Sequence, residues 1–173
     1  MHLYAGTASL HKGAYAPIWY GIGAMQKPPE TDTTDLREPR ACNCLAIRQA
    51  ARQITQLYEG HLAAVGLTAS QYSILAKLSR LGPLSINALA AEMVMDRTTT
   101  GRAIQPLVRD KLVALAAGSD ARMKLVRLTP AGAKRFKAAL PHWRAAQHEF
   151  ERAYGTKEAA TLRAALGRAS AIS

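Results

Sequence analysis

The chain has 173 residues, 49% of them hydrophobic and 20% charged, so it carries enough apolar material for a globular core. Lysine and arginine number 23 against 12 aspartates and glutamates, and a net charge of +11 favours a polyanionic partner, either nucleic acid or an anionic membrane surface. No long apolar run suits a membrane span, and Lys12 interrupts the apolar N-terminus before a signal-type stretch can form, so a cytoplasmic protein without membrane association is expected.

Residues 1–40 differ from the rest and are expected to form an N-terminal extension and linker, disordered or upstream of the true start. The first part holds Tyr4, Tyr15, Trp19 and Tyr20 without helical or strand periodicity, and residues 26–40 are polar and proline-containing. Met25 stands between them. Two readings stay open: Met25 is the true start, or the segment is an arm that packs on a partner subunit.

From Ala41 the pattern turns helical. Leu45, Ile47, Ala50, Ala51, Ile54, Leu57, Tyr58 and Leu62 recur at three- and four-residue spacings, which predicts one long amphipathic helix to about Ala64, ended by Gly66. Thr68 or Ser70 can cap a second helix with Tyr72, Ile74, Leu75 and Leu78 inward, stopped by Gly82-Pro83. Ser85 then caps a short third helix holding Ile86, Leu89, Ala90 and Met93. After a brief turn Asp96 caps a fourth, running to about Lys111 with Ile104, Leu107 and Val108 inward. The period now changes: Leu112–Leu115 and Leu125–Leu128 are short strand-like runs joined by Gly118, Ser119 and Asp120. Thr129 or Pro130 opens a fifth helix with Phe136, Leu140, Trp143 and Phe150 as buried positions, which Pro141 should kink or interrupt. A last helix, from Lys157 to about Ala169, carries Leu162 and Leu166. The expected fold is mainly α with a small two-stranded β-wing, a winged helix-turn-helix.

Two short helices around a tight turn, the second basic and hydroxyl-rich, have the form that reads a DNA major groove: the first braces, and the second offers its N-terminal residues to base edges. The second begins Asp96-Arg97-Thr98-Thr99-Thr100-Gly101-Arg102. Its threonines suit phosphates and thymine methyls, Arg102 suits guanine and Gln105 adenine, while Arg109 lies further along toward phosphate. Ser85 and Arg97 complete the DNA-facing set on the helices. The hairpin tip adds Asp120, Arg122 and Lys124, with Asp120 placed to orient Arg122 or pair with Arg97. Between Asp96 and Arg127 there are seven cations and three acids, so the basic excess falls on the elements that would face DNA.

The stretch from Cys42 onward resembles the MarR family of bacterial regulators. The resemblance rests on Gly66-Leu67-Thr68 with Gln71-Tyr72, Leu89-Ala90, Arg97-Thr98-Thr99, Asp120-x-Arg122 and Val126-Arg127-Leu128-Thr129-Pro130-Ala131-Gly132. It implies an obligate homodimer, with residues 41–66 and 130–173 as the helical dimerisation region and 67–129 as the DNA-binding lobe. It further implies a repressor on double-stranded DNA at a pseudo-palindromic operator, with DNA contacts at Thr98, Thr99, Arg102, Gln105 and Arg122. A start at Met25 would bring the chain close to the family's usual length.

Two signals compete. The resemblance implies a crevice between the dimer helices and the DNA-binding lobe that holds a small aromatic or phenolic ligand. Tyr58, His61, Arg48 and Trp143 are candidates, since an aromatic acid needs apolar walls and a cation. The alternative is thiol redox sensing by Cys42 and Cys44 at the start of the first helix, where the helix dipole favours a thiolate. Cys44 and Tyr58 match the organic-hydroperoxide-sensing branch of the family, but Arg48 and Ala69 stand where that branch has tyrosines. The cysteines lie too close together for a structural disulfide framework. Cys-x-Cys has no nearby third ligand and the histidines are scattered, so no metal or cofactor is expected. Nor is an enzyme: there is no glycine-rich phosphate loop, nucleophile elbow or HExxH, and few acids could pair in a cleft. A non-specific architectural DNA-binding protein is the remaining rival.

Overall fold

The computed structural model describes residues 42–117 and 124–172. Met25 and the expected arm or linker lie outside them. Six helices and three short strands follow in the order α1 (Asn43–Leu62), α2 (Ala69–Leu81), β1 (Leu84–Ser85), α3 (Ile86–Met93), α4 (Arg97–Arg109), β2 (Val113–Ala117), β3 (Lys124–Leu128), α5 (Pro130–Tyr154) and α6 (Thr156–Ala169). Among the described residues no helix is long and apolar enough to cross a membrane.

Local chemistry sets most of the boundaries. The α1 helix tightens into a 3₁₀ turn at Ala63–Val65 and ends where Gly66 takes φ 65°, a left-handed conformation open to glycine at little cost. Thr68 opens α2 with a reciprocal capping box: its hydroxyl accepts from the Gln71 N–H at 3.2 Å, and Gln71 Oε1 accepts from the Thr68 N–H at 3.0 Å. Ser85, Asp96 and Thr129 cap α3, α4 and α5 more simply, each side-chain oxygen accepting from the backbone N–H three residues on.

Two expectations change. The wing sheet has three strands in the antiparallel order β1-β3-β2, because Leu84–Ser85 pairs with Leu125–Val126. A two-residue strand that also supplies a helix cap is too short to show a period in sequence. The second change concerns Pro141, which neither stops nor divides α5. The hydrogen bond it forfeits would have gone to the carbonyl of Lys137, an exposed residue whose carbonyl water can satisfy.

The core gathers Leu62, Ile74, Leu75, Leu89, Ile104, Leu107, Val113 and Val126, all essentially inaccessible. It thereby fastens α2, α3, α4 and the sheet into one lobe, with α1 and α5 running over it. On α5 the fully buried positions are Gly132, Ala139 and Ala146, while Phe136, Leu140, Trp143 and Phe150 are half-buried. Recurring every seventh residue, the small side chains form a seam that lets neighbouring elements approach closely, and the larger ones pack along its flanks.

Candidate nucleic-acid interface

The exposed side of α4 is built on a braced turn. Helix α3 is fixed at its start by Ser85, whose Oγ accepts from the Ala88 N–H at 3.1 Å, and is tied to α2 by Lys77 donating to Glu92 at 2.7 Å. That bond, with the lysine charge, holds the Glu92 carboxyl below its ordinary pKa. The α3 helix ends at Val94, which adopts φ 52° and remains 77% exposed, with the Met95 N–H returning to the Ala90 carbonyl at 2.9 Å. A β-branched residue in the left-handed region is strained, so this turn is held by its surroundings and not by Val94's own preference.

Asp96 then opens α4. Its Oδ1 accepts from the Thr99 N–H at 2.8 Å and its Oδ2 from the Thr99 hydroxyl at 2.6 Å, bonds that lower the carboxyl pKa. Arg97, Thr98, Arg102, Gln105 and Arg109 are exposed, and four of these recur at helical spacing, 98, 102, 105 and 109, as one polar stripe. The opposite stripe, Thr100, Ile104 and Leu107, is buried. Thr100 thus corrects the sequence expectation. Its side chain is inaccessible and its hydroxyl donates to the Asp96 carbonyl at 2.9 Å, so it holds the turn and cannot meet DNA directly. Ser85 is half-buried, its oxygen accepting from the Ala88 N–H while its hydrogen stays uncommitted, and Thr99 is exposed with its hydrogen given to Asp96. Arg109 Nε donates to the adjacent Asp110 at 3.1 Å on an open surface, where such a pair is worth little and yields readily to a phosphate.

In the wing, Lys124 and Arg127 are exposed on β3. Asp120 and Arg122 lie outside the described residues. The wing's base is clamped to α5 by Thr129. Its N–H donates to the Leu112 carbonyl at 3.1 Å, its hydroxyl lies 2.8 Å and 3.0 Å from the Lys111 and Leu112 carbonyls, and the same oxygen accepts from the Gly132 N–H at 2.9 Å. Sequence reasoning placed Thr129 only as a helix start; the long-range part of its role has no local signal.

A cavity of about 200 Å³ opens between α1, α2 and α5, lined by Ile54, Tyr58, Leu62, Tyr72, Ser73 and Trp143 among others. Tyr72 stacks on Trp143 with ring centroids 5.9 Å apart and planes inclined by 12°. Of the four expected effector residues, Tyr58 and Trp143 line this cavity; Arg48 and His61 do not. Arg48 lies ten residues before Tyr58 on α1, roughly 15 Å up the helix, and His61 Nε2 pairs with Glu149 at 2.8 Å. Burial, and then the charge of Glu151, raise the Tyr58 pKa; burial raises that of Tyr72. Cys42 and Cys44 are both free and exposed at the start of α1, with Cys42 Sγ accepting from the Leu45 N–H at 3.4 Å.

Residues 65–123 match the profile described as the MarR family. The transcriptional regulator MosR of M. tuberculosis is 36% identical, with a TM-score of 0.64 over 75% of this chain and 95% of that one. Its structure in complex with DNA is 37% identical with a TM-score of 0.63, over 74% of this chain and 98% of that one. A probable transcriptional regulator from Pseudomonas aeruginosa is 29% identical with a TM-score of 0.67, over 73% of this chain and 95% of its own. The HTH-type transcriptional regulator YwoH of Bacillus subtilis is 32% identical over 91 residues, which take in 53% of this chain and 66% of that protein.

Proposed function

The chain belongs to the MarR family, and from that membership we propose that it is a sequence-specific DNA-binding transcriptional regulator acting in the cytoplasm. The observation that carries the proposal is the division of α4 into a buried stripe and an exposed stripe of Thr98, Arg102, Gln105 and Arg109, on a helix braced by α3. Arg102 and Gln105 read base edges, Arg97, Thr98 and Arg109 engage the backbone, and Arg122 with Lys124 follows the neighbouring groove. The DNA complex of MosR, at 37% identity, supports the same use of this lobe.

The protein acts as a homodimeric repressor. Leu45 and Ile47 on α1, Tyr154 at the end of α5 and Leu166 on α6 are large apolar residues left exposed on a single chain, and burying them against a second copy uses the helices outside the DNA-binding lobe. Two lobes then address a pseudo-palindrome with half-sites about one helical turn apart. Footprinting of the DNA beside its own gene, with sedimentation of the free protein, tests this. Protection of one short pseudo-palindrome by a dimer is expected. Equal affinity for every duplex at physiological salt would favour the architectural alternative.

Release is by a small aromatic or phenolic ligand in the cavity between Tyr58, Tyr72 and Trp143. Titration of the protein–DNA complex with phenols checks it, and no release by any of them would count against it. The exposed Cys42 and Cys44 at the α1 N-terminus support a second reading, oxidation by a hydroperoxide. Peroxide-dependent release that survives Cys44→Ser unchanged would refute that one.

A further inference from the structure

Two thiols stand together at the start of α1. Cys42 is the N-cap residue and Cys44 the second residue of the helix, and both are free and exposed. Two residues apart in sequence, their Cα atoms lie no more than about 7 Å from one another. The Cys42 Sγ folds over the helix end, where it accepts from the Leu45 N–H at 3.4 Å. The first turn holds no acidic residue, and Arg48, exposed one turn below Cys44, supplies a cation. Among the described residues no three His, Cys, Asp or Glu side chains gather. Such a pair does not serve zinc, which fills four places, or calcium and magnesium, which surround themselves with six or more oxygens. The missing third ligand selects instead an ion content with two sulfurs.

We infer that Cys42 and Cys44 form a two-coordinate thiolate site for a soft monovalent cation of the Cu(I) and Ag(I) class. Thiolate sulfur is the donor that selects such ions. Binding balances without any oxidant: two S–H bonds are lost, two sulfur–metal bonds form, and two protons pass to solvent. The product, two thiolates on one monovalent cation, carries a single negative charge. That charge sits at the positive end of the α1 dipole and one turn from Arg48, an arrangement that a carboxylate in the first turn would spoil. The geometry is also easier to meet than that of a disulfide. A disulfide must bring the sulfurs to about 2.05 Å, whereas a linear sulfur–metal–sulfur unit, with bonds like the roughly 2.3 Å of zinc to sulfur, keeps them about 4.6 Å apart. Cys44 keeps its helical backbone and Cys42 its bond to Leu45, because a bound thiolate still has lone pairs to accept with. The ion staples the cap to the first turn of α1, beside Leu45 and Ile47, and withdraws both thiols from hydroperoxide.

The test is titration of the reduced full chain with Ag(I), in competition with a small thiol of known affinity and without oxygen. Sulfur-to-metal absorption in the ultraviolet and mass spectrometry of the intact complex follow it. One Ag(I) per chain is expected. Cys42→Ser and Cys44→Ser should each weaken binding by about 10²–10⁴-fold, the gain of holding two ligands on one short tether. Serine is itself a good N-cap, so Cys42→Ser retains α1, and circular dichroism checks both variants for folding. Cu(I) should reproduce the stoichiometry, and Zn(II) should bind at least about 100-fold more weakly than Ag(I) for want of two further ligands. Two Ag(I) per chain, one Ag(I) shared by two chains, or a folded single-serine variant that binds as tightly as wild type overturns the intrachain pair. Zn(II) binding as tight as Ag(I) overturns the two-coordinate class. The protein is titrated free of DNA, so the outcome is independent of the regulator reading.

Discussion

Gly132→Ala is expected to be among the most damaging single-methyl additions in this chain. A Cβ at that position would lie 1.9 Å from the Leu112 carbonyl oxygen and 2.9 Å from Leu128 Cδ1. Ordinary contact is about 3.5 Å, so α5 and the Leu112 backbone must separate by roughly 1.5 Å. The carbonyl cannot simply turn aside, because it accepts from the Thr129 N–H at 3.1 Å. Overpacking costs about 1–3 kcal/mol and a lost hydrogen bond about 1 kcal/mol more, which together take about 2–4 kcal/mol from a stability of about 5–15 kcal/mol. Urea unfolding followed by circular dichroism at one fixed protein concentration measures the loss. Gly101→Ala, with nothing within 4 Å of the added Cβ, is the control; relieved of backbone entropy in a helix, it should gain about 0.5–1 kcal/mol. Because the same joint sets the wing on α5, operator affinity should fall with Gly132→Ala as well. A Gly132→Ala midpoint equal to wild type, or an equal loss in Gly101→Ala, would refute this account.

Arg102→Ala should weaken operator binding by about 1–3 kcal/mol and relax preference at one base position, which gel-shift competition with a set of single-base operator variants resolves. Val94→Gly relieves the left-handed strain of a 77% exposed valine and should stabilise the chain by about 1 kcal/mol in the same urea assay. The Asp96 carboxyl has a folded pKa below its unfolded one, so its cap contributes above the unfolded value and is lost as pH falls through the folded value. Acidification below about pH 4 should therefore destabilise the wild type more steeply than Asp96→Asn, as read by thermal melts across that range.

The sequence by itself determined the helices and most of their ends, because these depend on neighbours three or four residues away. Thr68, Ser85 and Asp96 cap their helices within one turn, and the apolar periodicity of α2 and α4 already names Ile74, Leu75, Ile104 and Leu107 as core. It also placed the exposed polar stripe of α4, since a helix with one face buried must expose the other. Contacts across the chain were left to the tertiary structure. Thr100 looked like one of three equivalent threonines until the lobe closed over it. Leu84–Ser85 became a strand only because β3 lay beside it, some forty residues on. Gly132, Ala139 and Ala146 form a seam only because other elements press on α5. Arg48 and His61 supplied the right chemistry for an aromatic acid but do not line the cavity, while Gln147 reached Tyr58 from α5, some ninety residues along the chain. Hydrogen-bond direction is a property of such assembled networks, since an amide or hydroxyl acquires its polarity toward a ligand only after its other partners are fixed.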